Sequence, residues 1–101
     1  LLTGDQPVQA LYALNNNLAT HALRILHQMG KRIPEDVALI SFDDIDLFDI
    51  YQPRITAVCQ PIEKMGRQSV NMLIDHIEGK KKIEAAAIYL PTILIERQSG
   101  G

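Results

Sequence analysis

The sequence predicts an α/β fold built on a parallel sheet. Short apolar runs alternate with longer stretches whose apolar residues recur at helical spacing. The runs at 8–14 and 36–42 show little polar alternation, the pattern of strands covered on both faces. Asn, Gly or Pro marks most junctions, so the order reads β-α-β-(short α)-β-α-β.

The elements follow in chain order. Leu1-Leu2-Thr3-Gly4-Asp5 reads as the end of a helix entering a turn, with Pro7 beyond it, so the chain is expected to be a piece of a longer protein. Val8–Leu14 forms the first strand. Asn15-Asn16-Asn17 breaks it and supplies an N-cap, because the Asn side-chain oxygen accepts a first-turn N–H. Leu18, Ala19, Ala22, Leu23, Ile25, Leu26 and Met29 then repeat at helical spacing. Gly30 suits the left-handed helix stop, and Pro34 prevents continuation. Asp36–Phe42 is a second buried strand ending in Asp43-Asp44. The first two strands should therefore be parallel, joined by a right-handed crossover.

Residues 45–51 suit a short helix or turn, stopped by Pro53. Ile55–Cys59 is a short β-branched strand. Gln60-Pro61 opens a long helix with the stripe Ile62, Met65, Ser69, Leu73 and Ile77, closed by Gly79. Lys80-Lys81-Lys82 reads as a solvated turn. The runs 88–90 and 93–95 are strand-like, and Pro91 between them argues for an edge, bulge or kink. Two main helices cover one face of such a sheet; both faces would need more. The domain is therefore expected to be incomplete.

Composition narrows the chemistry. At 101 residues the chain is at most one domain. With 47% hydrophobic and 22% charged residues it is globular rather than disordered. A net charge of -2, five aromatics and no Trp argue against a polyanion surface or a base-stacking platform. The single Cys59 excludes an internal disulfide and a cysteine-rich metal site. No apolar run is long enough to span a membrane as a helix.

Polar clusters end two consecutive strands: Asn15-Asn16-Asn17 and Asp43-Asp44. In an open parallel sheet, ligands bind at the carboxyl ends of strands. An amide and a carboxylate facing one crevice suit a neutral polyhydroxylated ligand, because the carboxylate accepts hydroxyl protons and Asn both donates and accepts. Two plainer readings compete. The Asn cluster caps the helix and the Asp pair forms a turn, or the Asp pair holds Mg²⁺ or accepts phosphate. The last needs a third Asp and a Lys that the third strand end, Gln60-Pro61, does not supply. His21, His27 and His76 do not share a face, so no metal site is expected; Cys59, inside an apolar strand, reads as an inert buried thiol. No nucleophile elbow or phosphate loop appears, and neither a catalytic residue nor a cofactor is expected.

Four blocks stand in order: Tyr12-Ala13-Leu14-Asn15-Asn16; Arg32–Asp44, which contains Arg-Ile-Pro-Glu-Asp-Val and Phe-Asp-Asp; Thr56–Gly66, which contains Gln60-Pro61 and Met65-Gly66; and Leu90–Arg97, with Leu-Pro-Thr followed by Leu-Ile-Glu-Arg. Together they resemble the C-terminal part of the lactose/galactose-repressor (LacI/GalR) family of bacterial transcription regulators, from about Pro7 to Arg97. The resemblance implies part of a periplasmic-binding-protein-like (type I) sensor domain. Residues 1–60 and 88–101 would belong to its C-terminal subdomain. Residues 61–82 would be a helix packed on the N-terminal subdomain, with hinge crossovers near Gln60-Pro61 and Leu90-Pro91.

The resemblance also implies a function: effector binding and dimerisation in a cytoplasmic repressor that is not an enzyme. Asn15 and Asp43 would contact a small effector, a sugar or sugar phosphate, while Phe42 belongs to the core. A homodimer would form through the exposed residues Thr20, His27, Ile50 and Tyr51. Operator DNA would be read only through an N-terminal helix-turn-helix that this chain does not contain. The alternative is an extracytoplasmic sugar-binding protein of a transport system with the same fold. The sequence departs from the family at Asn16, where Asp is usual, and at His21, where Gly is usual, so ligand and packing details there differ.

Overall fold

The computed structural model describes residues 4–79 and 88–101. The opening Leu1-Leu2-Thr3 and the Lys80–Lys82 turn lie outside the described residues. Among the described residues seven elements alternate: β1 (Ala10–Ala13), α1 (Asn16–Gln28), β2 (Ala38–Phe42), α2 (Leu47–Ile50), β3 (Thr56–Cys59), α3 (Ile62–Ile77) and β4 (Ile93–Ile95). The α/β class predicted from the residue order is the class observed.

The four strands form one sheet in the order β1-β2-β3-β4. β1 pairs with β2, and β2 with β3, in parallel. β4 runs antiparallel to β3, so the sheet is mixed where a parallel one was expected. The run 88–90 contributes no strand. Pro91 separates it from β4, and β4 lies at the sheet edge, as a nearby proline favours.

The chain divides into two compact units. One holds the chain up to Cys59 together with Ile93–Gly101; the other is Gln60–Thr92. In the first unit, α1 lays Ala19, Leu23 and Leu26 on the sheet. Ala13, Leu39, Phe48, Ile55 and Ala57 complete the core. Phe48, Leu26, Leu39 and Ile55 are almost wholly removed from water, each worth about 1.5–3 kcal/mol relative to an exposed position. β1 departs from its expected burial on both faces. It is an edge strand in which only Ala13 is buried and Tyr12 is exposed. Phe42 and Cys59 are half-buried rather than enclosed.

α1 is bounded as its residues dictate. Asn15 Oδ1 accepts from Leu18 N at 2.8 Å. At the other end Gly30 has φ +67. Its N–H donates to His27 O and the Lys31 N–H to Leu26 O, the paired bonds of a Schellman stop. In the second unit α3 buries no residue. Its apolar residues Ile62, Leu73 and Ile77 are exposed, although their spacing gives the helix a distinctly apolar side.

The C-terminal segment ties β2 to β3. Ser99 is fully buried. Its hydroxyl accepts from Thr56 N at 2.8 Å and donates to Leu39 O, while Leu39 N donates to Ser99 O at 2.9 Å. A Cβ on Gly100 would meet Thr56 Oγ1 at 3.1 Å, so the chain passes Thr56 too closely for a side chain to fit without displacement.

Candidate functional site

The site begins with register. Ala13 of β1 faces Ser41 of β2 in a parallel pair. Asn15 and Asp43 each lie two residues beyond that pair, at the carboxyl edge of the same sheet. The polarity of the two strands places both predicted ligand residues at one edge, where an open sheet has its crevice.

Each residue is held locally. Asn15 is extended, with φ -158 and ψ 170, and caps α1 through Oδ1. The capping expectation is thus met by the same side chain that was expected to touch an effector. The cap engages the acceptor end of the carboxamide, and the NH2 end keeps its two donors. Asp43 has φ +79, in the left-handed region that few residues other than glycine adopt. Asp tolerates it because its short polar side chain can hydrogen-bond locally. The Asp43 N–H donates to Val58 O at 2.9 Å. Its carbonyl accepts from the hydroxyl of buried Ser41 at 2.9 Å. The Asp pair does form a turn, and that turn bends sharply and is fixed on both sides.

Asp44 has a partner that sequence reading missed. Arg97 Nη1 and Nη2 donate to Asp44 Oδ1 and Oδ2 at 2.8 and 2.9 Å, in a side chain only 11% exposed. Arg97 Nη1 also donates to Ile55 O at 2.6 Å. The hydrogen bonds to Asp44 raise the guanidinium above its ordinary value against the opposing effect of burial, and the charges of Asp44 and Asp49 add to the rise. Fifty-three residues separate this pair, so no local spacing announces it.

The four residues assigned to a dimer contact are distributed over two elements and a turn. His27 and Ile50 are exposed, as expected. Thr20 and Tyr51 are half-buried, which corrects the expectation that all four are exposed. Thr20 turns its hydroxyl back onto Asn16 O at 2.8 Å, and Tyr51 packs against the core. His27 and Tyr51 line one hollow of about 270 Å³ with Lys31, Arg32, Glu35 and Pro53; Thr20 and Ile50 do not. Arg32 beside it donates from its side chain and its backbone N–H to Asp36, and these bonds hold that carboxyl at about 2.

Among the described residues, no group of three or more His, Cys, Asp or Glu side chains gathers as a metal would require. No helix among them is long and apolar enough to cross a membrane. In the second unit, a hollow of about 380 Å³ between α3 and residues 88–92 contains no charged side chain and none of the predicted site residues.

Comparison with known proteins identifies the family of this fold. The sequence profile of the periplasmic binding protein-like domain matches residues 2–100. The HTH-type transcriptional regulator CelR of Thermobifida fusca is 38% identical over 99% of this chain, which spans 29% of that regulator's length. A solved complex of the transcriptional regulator CelR with cellobiose superposes with a TM-score of 0.85 at 39% identity, over 92% of this chain and 28% of that one. A LacI family transcriptional regulator from Enterococcus faecium with bound ribose gives a TM-score of 0.83 at 36% identity, over 94% of this chain and 35% of that one. The chain belongs to the periplasmic binding protein-like domain family, in the form carried by LacI-type transcriptional regulators.

Proposed function

We propose that this chain forms the effector-binding part of a LacI-type transcriptional repressor and contributes no catalysis. The carrying observation is the parallel pairing of β1 and β2, which brings Asn15 and Asp43 to one sheet edge. A carboxylate accepting hydroxyl protons beside a carboxamide that still donates suits a sugar or sugar phosphate. Relatives solved with cellobiose and with ribose support the sugar class. Their names as regulators support this reading over a transport component.

The unit that ends at Cys59 and resumes at Ile93 belongs to one subdomain of the sensor, and the unit Gln60–Thr92, which carries α3 and takes in Gln60 and residues 88–92, belongs to the other. The protein pairs with a second copy through Thr20, His27, Ile50 and Tyr51. It meets operator DNA, in the cytoplasm, through an N-terminal helix-turn-helix elsewhere in the protein. Effector in the cleft favours one placement of the subdomains and so changes how the dimer presents its DNA-binding heads.

A thermal-shift series on the intact protein tests this. A sugar that binds raises the melting temperature by mass action. We expect a rise with D-ribose, cellobiose or another sugar, abolished by Asp43→Asn. An unchanged rise in that variant contradicts the site.

A further inference from the structure

The turn that carries Asp43 is fixed from three directions. Its N–H is bound to Val58 O and its carbonyl to Ser41 Oγ. The third tie passes through its neighbour, because Arg97 grips both oxygens of the Asp44 carboxylate. The guanidinium is itself anchored to β3: Nη1 donates to Ile55 O, and the Arg97 N–H donates to Thr56 Oγ1 at 2.9 Å. Asp49 Oδ1 lies 3.6 Å from Nε on a further side. A planar fork with both ends occupied allows Asp44 little movement. Asp43, at φ +79, occupies a backbone region that ordinary residues leave when their surroundings stop enforcing it.

We propose that Arg97 is a positioning residue for the effector site: through Asp44 it holds the left-handed turn that presents Asp43. This inference rests on the reading of Asp43 as an effector ligand. It assigns Arg97 no contact with the effector. Lysine does not replace it, since an ammonium keeps the charge but cannot grip both carboxylate oxygens in one plane.

The test is calorimetric titration of the intact protein with D-ribose and with cellobiose. For the sugar that the wild type binds, Arg97→Gln, Arg97→Lys and Asp44→Asn should each raise Kd by about 10-fold. The double variant Arg97→Gln/Asp44→Asn should be no worse than either single change, because both break one tie. Ser99→Ala, which weakens the same sheet away from the turn, should keep the wild-type Kd, separating positioning from stability. If Asp43→Asn loses binding while the Arg97 and Asp44 variants keep the wild-type Kd, the positioning role is overturned and the site reading stands. If Asp43→Asn itself binds normally, the site reading fails and takes this inference with it. Should Arg97→Gln not fold, Asp44→Asn alone decides. If neither sugar binds the wild type, a crystal structure of Asp44→Asn decides: the proposal expects residue 43 to leave positive φ, and retention of that conformation overturns it.

Discussion

Single residues in this chain serve two masters, and substitutions can separate the roles. Asn15 caps α1 with its oxygen and is proposed to bind effector with its NH2 group. Asn15→Asp keeps a capping acceptor but removes the donor, and Asn15→Ala removes both. Urea unfolding should show Asn15→Ala less stable by about 1 kcal/mol and Asn15→Asp nearly unchanged. Both should lose sugar affinity; an Asn15→Asp protein that binds normally would leave Asn15 as a cap only. Asp36 offers a purely electrostatic test. Arg32 holds its carboxyl at about 2, below the ordinary 3.8. Because the folded value is the lower one, its contribution to stability is present above about pH 3.8 and disappears as pH falls through 2. A carbon-detected NMR titration should find the low midpoint. Arg32→Gln should raise it only part of the way, since the residue 32 N–H still donates to Asp36.

At the scale of elements, the most informative feature is how the C-terminal segment closes the sheet. Ser99 satisfies the Thr56 N–H and bonds Leu39 O inside the core. Ser99→Ala would leave buried backbone groups short of partners, and we expect a loss of about 1–3 kcal/mol in urea unfolding. A loss under about 0.5 kcal/mol, as for a surface position, would contradict this role. The contrast between α1 and α3 belongs here too. Both have apolar stripes, yet α1 buries Ala19, Leu23 and Leu26 while α3 buries nothing. Periodicity reveals that a helix has an apolar side but not what lies against it.

Over the whole molecule, legibility followed sequence distance. The α/β order, the Asn15 cap and the Gly30 stop were readable because each depends on a few neighbouring residues. The parallel pairing of β1 with β2 was readable because a crossover of this length has one favoured hand, and with it the shared edge of Asn15 and Asp43. Long-range facts were not readable. An apolar run such as Val8–Leu14 does not say whether it lies in the middle or at the edge of a sheet, and β1 is an edge strand. The antiparallel sense of β4, the Ser99 stitch and the Arg97–Asp44 fork join residues more than thirty positions apart. The half-burial of Thr20 and Tyr51 likewise depends on packing and not on residue type.

Asn15 and Asp43 are proposed to hold a sugar at the carboxyl edge of this sheet. A crystal structure of the intact protein with its sugar bound would decide this. Ring hydroxyls are expected within about 2.6–3.2 Å of an Asp43 carboxylate oxygen and of Asn15 Nδ2. A sugar bound elsewhere, with neither side chain in reach of it, would contradict it.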